Sequence, residues 1–131
     1  MTLKRVATIF VPSLTLILML AGLALAHHSI AGFDNKKEVS IRGTVVEFRW
    51  RNPHIIILWE TKDASGNVVQ WSGEMASPTT MMQLGMNRNS LQNGDEAEFF
   101  FHPSAIGSPL ALVTKIVRAD GKVIVDRAPA N

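Results

Sequence analysis

Residues 39–50 read VSIRGTVVEFRW, and this stretch decides the fold class. Up to Val45 the apolar residues occupy odd-numbered positions, which is the period-two pattern of a strand with one buried face. From Val46 to Trp50 they occupy even-numbered positions. Such a change of phase beside Gly43 predicts a bulge or bend, which lets one long strand serve two sides of a curled sheet.

Further strands and one short helix follow this bent strand. Residues 55–61 begin with an unbroken apolar run, which indicates a strand buried on both faces. Ser77 and Pro78 suit the N-cap and first position of a helix, and Gly85 suits its C-terminal cap. We expect Met81, Met82 and Leu84 of this helix to fill the core and not to form a methionine-rich copper site. The later predicted strands cover residues 55–61, 68–74, 96–102, 110–118 and 122–125, and the helix covers residues 78–84.

The order of three strands, one short helix and then two or three strands is typical of a small Greek-key barrel of the oligonucleotide/oligosaccharide-binding (OB) type. We therefore predict an all-β domain with one short helix, folded as an OB-like β-barrel over residues 39–126. A plain meander sandwich is the alternative that the pattern leaves open. An arm of residues 27–38 precedes the barrel, and a tail of residues 127–131 follows it.

The first 26 residues have the three parts of a secretory signal peptide. MTLKR supplies a positive start, an apolar stretch follows, and Ala24-Leu25-Ala26 gives the small-x-small cleavage pattern. The alternative is an uncleaved membrane anchor, although Pro12 interrupts the apolar stretch. We expect export to the periplasm, cleavage after Ala26, and membrane contact only through the uncleaved leader.

Composition narrows the functional classes once the leader is set aside. The chain has 13 basic and 11 acidic residues, and Lys4 and Arg5 of the leader account for the whole surplus. A neutral remainder lacks the cationic surface of a nucleic-acid-binding protein, so we expect no nucleic-acid partner. Without cysteine the chain forms neither disulfides nor thiolate metal sites. It also lacks a nucleophile motif, and we rank catalysis below binding.

Cleavage after Ala26 would leave His27 as the first residue of the secreted protein. A terminal histidine offers its α-amine and its ring Nδ1 to one metal ion, and an α-amine loses its proton more easily than a lysine does. A third imidazole would complete a three-nitrogen set, the histidine brace, which suits copper because copper leads the affinity order for nitrogen ligands. The alternative for His27 and His28 is a solvated chain terminus.

The other two histidines, His54 and His102, border the two loops that flank the binding face of an OB-type barrel. We therefore expect them to lie near one another, although each has a purely structural alternative when taken singly. The arm of residues 27–38 is long enough to bring its own histidines to the same rim. The predicted metal ligands are His27, His28, His54 and His102, and the residues expected to orient them are Asp34, Asn52 and Glu74.

Tryptophans suggest a second kind of site. Trp50 and Trp71 are the candidates for a face that receives a peptide, protein or saccharide. Their alternative is ordinary core packing, which we favour for Trp59 inside its apolar run. On this interpretation the protein is a metal-free periplasmic binding module. Its ligand is then a periplasmic partner, and it binds no metal ion.

Three motifs carry a resemblance that covers nearly all of the chain after residue 26: AHHSIAGFD at residues 26–34, RNPH at residues 51–54 and WSGE at residues 71–74. They resemble a family of small exported bacterial proteins catalogued as a domain of unknown function. The resemblance implies export and an OB-like barrel and supplies no reaction. The chain departs from the family pattern at Met86, where an aromatic residue is usual, and at Phe101, where a glycine is usual. The positions that match are His27, His28, Ser29, Phe33, Asp34, Asn52, Pro53, His54, Trp71 and Glu74.

Overall fold

Six β-strands and one short helix make up residues 32–127, which are the residues that the computed structural model describes. The predicted leader, His27, His28 and the last four residues lie outside the described part. No helix within residues 32–127 is long and apolar enough to cross a bilayer. The elements are β1 (Val39–Arg49), β2 (Ile55–Lys62), β3 (Val68–Met75), α1 (Pro78–Gln83), β4 (Glu96–Pro103), β5 (Leu110–Arg118) and β6 (Val123–Asp126).

The first five strands close into a barrel. Each strand pairs with the next around the ring in the order β1, β2, β3, β5 and β4, and β4 returns to β1. All of these pairings are antiparallel except the one between β3 and β5, which is parallel. The closed order, with the helix between β3 and β4, confirms the OB-like Greek-key barrel in place of a meander sandwich. The short β6 adds an antiparallel partner to the far end of β5.

The bend in β1 makes this closure possible. Up to Thr44 the strand pairs with β4, and from Thr44 onward it pairs with β2. The register with β2 shifts between Val45 and Glu47, which is where the apolar positions change parity. The bulge turns the second half of the strand, so that one strand borders two neighbours on a curved sheet.

Trp59 of β2 occupies the centre of the barrel, as the apolar run predicts. Its ring is fully buried and stacks on Phe99 at 4.3 Å between ring centroids and on Trp71 at 6.0 Å. Two glycines leave room for this ring. A Cβ added at Gly43 would lie 2.6 Å from it, and a Cβ added at Gly73 would also lie 2.6 Å from it.

The expectation that β2 is buried on both faces is wrong. Its inward residues, Ile55, Ile57 and Trp59, are fully buried, whereas Ile56 and Leu58 on the outer face are only half-buried. A strand of a closed barrel has one face inside, and in the described part of the chain no second layer covers the outer face of β2.

The helix begins as predicted but buries fewer residues than expected. The Ser77 hydroxyl caps it by accepting a hydrogen bond from the Thr80 N–H at 3.3 Å. Met81 is fully buried, but Met82 and Leu84 are about half exposed, so the expectation that all three fill the core is wrong. A helix of one and a half turns presents one side to the barrel, and the core is filled instead by residues after it, such as Met86.

Substituting Gly43 should test how tightly the bend of β1 is packed. In Gly43→Ala the new methyl group would lie 2.5 Å from the backbone oxygen of Glu60, which cannot rotate away. We expect a loss of about 3 kcal/mol in the free energy of unfolding, measured by urea denaturation. Gly32→Ala is the matched control, because a Cβ there meets nothing within 4 Å. Equal stability of the two variants would contradict this account of the bend.

Candidate metal-binding site

The arm before the barrel is hydrogen-bonded to the end of β4 and to the loop that follows it. The Ala105 N–H donates to the carbonyl of Gly32, and the Asp34 N–H donates to the carbonyl of Pro103, both at 2.9 Å. An isolated antiparallel bridge lies between these two contacts. The described part of the arm therefore lies against the rim of the barrel, directly beside His102.

His102 points outward from β4 and contacts the arm through its ring. Its Nδ1 lies 2.8 Å from the carbonyl oxygen of Lys37. A carbonyl oxygen only accepts hydrogen bonds, so Nδ1 carries the proton of this bond. Asp34, expected from the sequence to orient a ring, accepts a hydrogen bond from the Lys36 N–H at 3.1 Å within its own turn.

His54 stands where the loop after β1 enters β2, and its partner is an acidic side chain on β3. Its Nδ1 lies 2.6 Å from Oε1 of Glu74. The β2–β3 register brings them together, because Ile56 is opposite Glu74 and His54 is two residues earlier. The His54 side chain keeps 43% of its surface exposed and Glu74 keeps 26%. The carboxylate thus fixes the ring while leaving it open to solvent.

The two rings share one chemical property. In each, Nδ1 faces an acceptor and must carry a proton, so the lone pair of the neutral ring is on Nε2. Metal-bound histidines commonly have this arrangement, in which one ring nitrogen donates to a carboxylate or a backbone carbonyl and the other nitrogen binds the ion. In both His54 and His102, Nε2 is therefore the ring nitrogen with an available lone pair.

The described residues do not bring three metal-binding side chains together. Within residues 32–127 no group of three histidine, aspartate or glutamate side chains could hold a metal ion. Glu74 pairs with Leu112 across β3 and β5, and Leu112 pairs with His102 across β5 and β4. Two strand spacings separate Glu74 from His102 by about 10 Å. The convergence of all four histidines stays a prediction.

The remaining predicted residues have other surroundings. Asn52 is exposed in the loop before His54, and within the described structure its side chain makes no hydrogen bond to that ring. Trp50 is half-buried against Phe48, with ring centroids 5.8 Å apart. Trp71 is also half-buried, and it stacks on Trp59 in the barrel interior. Neither tryptophan is a fully exposed platform for a ligand.

A polar cleft away from the histidines was not predicted from the sequence. It has a volume of about 720 Å³ and lies where the bend of β1 meets the ends of its neighbours. Its charged residues come from four strands and include both acidic and basic side chains. No single stretch of the sequence therefore predicts the cleft. These charged lining residues are Arg42, Lys62, Arg118, Glu60, Glu96 and Glu98.

One charged pair at this cleft has a clear electrostatic effect. The Arg118 guanidinium donates a hydrogen bond to the carboxylate of Asp120, and the Lys122 N–H donates a second one at 3.0 Å. These hydrogen bonds lower the pKa of Asp120 to about 2, and the one from Arg118 has the largest effect. The negative charge of Asp120 is therefore kept far into the acidic range.

Comparison with known proteins gives one match. The chain matches the model of one family, described as a family of unknown function (DUF6152), over residues 15–112. No curated protein and no solved structure matches it. The match covers most of the barrel and both the His54 and His102 positions, but it brings no ligand, reaction or partner with it.

The tautomers of the two described histidines can be measured directly. We expect both neutral rings to carry their proton on Nδ1, whereas the ring of a solvated histidine side chain favours the proton on Nε2. Glu74→Ala should return His54 to the ordinary tautomer and leave His102 unchanged as an internal control. Long-range ¹H–¹⁵N spectra of the rings report the tautomer. Glu60→Ala, a half-buried carboxylate elsewhere on β2, should change neither ring, and a shift of His54 in that variant would contradict the assignment.

The Arg118–Asp120 pair predicts a pH effect. Because the pKa of Asp120 is lowered in the folded state to about 2, its contribution to stability is present above the ordinary carboxyl range. That contribution is lost as the pH falls toward 2. In Arg118→Gln the NMR titration midpoint of Asp120 should rise toward the ordinary value, and the stability difference from wild type should shrink below about pH 4. An unchanged midpoint would show that Arg118 is not the cause.

Proposed function

Because the chain belongs to the DUF6152 family of unknown function, its family supplies no activity, and we propose from its own residues that it is an exported protein that binds a transition metal. Copper is the metal that the ligand set favours. The observation that carries the proposal is the shared state of His54 and His102, each with Nδ1 held by an acceptor and Nε2 left open.

His54 is the stronger of the two described ligands. Its partner is a carboxylate, which makes an imidazole a better donor than a backbone carbonyl does, and its ring is well exposed. His102 is the second of the described metal-ligand candidates. It lies on β4 beside Leu112, which separates it from Glu74. In both cases the nitrogen available to an ion is Nε2.

His27 supplies further nitrogen donors if the leader is removed after Ala26. The carbonyl of Gly32 is fixed beside Ala105, and the five residues from His27 to Ala31 reach at most about 17 Å from that point. That distance is sufficient to bring the new α-amine and the His27 ring to the rim that bears His102. His28 is a weaker candidate because side chains of adjacent residues diverge.

The chemistry of the donors favours copper over other metals. The chain has no cysteine and therefore offers no soft thiolate ligand, so we expect nitrogen atoms to bind the metal. For nitrogen donors the affinity of divalent first-row metals peaks at copper. Storage, carriage or delivery of copper in the periplasm fits a small barrel that offers its ligands at an open rim.

A metal-free binding module is the second candidate, and the cleft at the bend of β1 favours it. This cleft has three basic and three acidic side chains, a pattern that suits a short peptide with both termini charged. Addition of a tripeptide would then shift amide signals of Lys62 and Glu96. Shifts confined to His54 and His102 on addition of copper would favour the metal function instead.

The metal function is tested by titrating the secreted protein, with its first residue fixed by mass spectrometry, with Cu(II). We expect His54→Ala to weaken copper binding at least tenfold, because it removes an oriented imidazole. An extra alanine ahead of His27 should weaken it similarly, because the extension moves the α-amine away from the His27 ring.

An extra alanine after Asn131 is the control for the extension and should leave the affinity unchanged. Equal copper affinity for the two extended proteins would exclude a terminal-amine ligand. Equal affinity for His54→Ala and wild type would exclude His54, and with both results the metal proposal would fail.

A further inference from the structure

One polar atom in the barrel core lacks a partner. Trp59 is fully buried, and its Nε1–H donates to no acceptor within residues 32–127. Native proteins rarely leave a buried donor unpaired, and a bound molecule that supplies the acceptor is one explanation when they do. The place of this N–H in the barrel therefore indicates where a ligand could bind.

The indole N–H lies at the end of the barrel that bears the polar cleft. A Cβ on Gly43 would lie 2.6 Å from Cδ1 of the ring, the carbon bonded to Nε1, whereas a Cβ on Gly73 would lie 2.6 Å from Cζ3 of the six-membered ring. Gly73 is opposite Ile57, near the start of β2. The residue after Gly43 is opposite Glu60, near the end of β2. The nitrogen-bearing ring is therefore directed toward the end of β2, which lines the cleft.

The ladder between β1 and β2 stops at this level. Its last pair is Thr44 opposite Glu60, and the described structure has no further pair between the two strands beyond it. Gly43 and Thr61, the next residues along each strand, both line the cleft. The cleft therefore reaches the barrel wall beside the nitrogen-bearing ring, at a residue that has no side chain.

Arg118 stands on the inner face of the same end. It is opposite Ala97 across β5 and β4, and Ala97 is opposite Gly43 across β4 and β1. Directly opposite residues have side chains on one face of a sheet, and Ala97 is buried, so this row faces inward. Arg118 donates from Nε and Nη2 to Asp120, while Nη1 makes no hydrogen bond within the described residues. A guanidinium with a free donor thus lies in the row that includes Gly43.

We propose that the cleft binds the free carboxylate end of a short peptide and that Trp59 Nε1 and Arg118 hold this carboxylate. The inference rests on the second candidate function, peptide binding at the cleft, and deepens it. A carboxylate supplies the acceptor that the indole N–H lacks and the negative charge that a guanidinium binds. Because Nε1 is buried in the free protein, β1 and β2 move apart beside Gly43 as the oxygen enters, where no pairing between them has to break.

The other lining residues suit the rest of a peptide. Glu60 and Glu96 offer carboxylates to an α-ammonium group, and Val68, 61% exposed, offers an apolar contact. Glu98 already accepts a hydrogen bond from Arg42 at 3.4 Å. The volume of about 720 Å³ is within the range of small-ligand sites, so the cleft suits a few residues and not a folded partner.

The first test follows the indole ¹H–¹⁵N signals of the secreted protein during titration with trialanine. The chain has three tryptophans, so the signals of Trp50 and Trp71 serve as internal controls. We expect trialanine to move the Trp59 Nε1 proton downfield, because a hydrogen bond to a charged acceptor deshields it. Trialanine amide, which has a neutral carboxamide in place of the carboxylate, should bind about tenfold more weakly.

The second test removes the cation. Arg118→Gln should weaken binding of trialanine about tenfold and leave binding of trialanine amide nearly unchanged, because only the carboxylate interacts with the charge. Arg88→Gln is the matched control, since Arg88 is an exposed arginine that does not line the cleft. It should bind both peptides as the wild type does.

The outcomes separate this inference from the functions proposed above. Equal affinity for the two peptides with an unchanged Trp59 signal would overturn the carboxylate site and leave peptide binding at the cleft standing. Equal affinity of Arg118→Gln and wild type for trialanine would overturn the role of Arg118. A cleft that binds neither peptide would overturn both this inference and the second candidate function, and the copper proposal would be unaffected.

Discussion

The packing of Trp59 is the constraint on which the rest of the structure depends. The fully buried indole at the centre of the five-stranded barrel leaves no room for a side chain at the facing positions of β1 and β3. Gly43 and Gly73 occupy these two positions. The ring packs on Phe99 and Trp71, while its Nε1 has no hydrogen-bond partner among the described residues. An unpaired buried donor costs about 1–3 kcal/mol, so the aromatic contacts must outweigh that cost.

Patterns that depend on neighbours in the sequence predicted the fold well. The parity change at Val45 located the bulge, and Ser77 located the helix start, because backbone geometry at both places is set by adjacent residues. Burial depends on what other elements cover. For this reason the outer face of β2 and the exposed Met82 could not be predicted from their apolarity.

The candidate site shows the same division. The turn joining β2 to β3 sets their register, so the position of Glu74 beside His54 follows from counting residues back from the hairpin. The bond between His102 and the carbonyl of Lys37 joins segments far apart in sequence, and nothing local signals it. The polar cleft is likewise assembled from four strands, each of which contributes only one or two charged residues. Sites of this kind can be predicted only when the order of the strands around the barrel is known.

The parallel contact between β3 and β5 has a consequence for folding kinetics. Glu74 and Leu112 are nearly forty positions apart in sequence, and closing so long a loop carries an entropic cost that local hairpins do not have. This seam should therefore form late, after the β1–β2 and β2–β3 hairpins. Because Leu112 of β5 lies between Glu74 and His102, the outer face that bears His54 and His102 is complete only once this seam has formed.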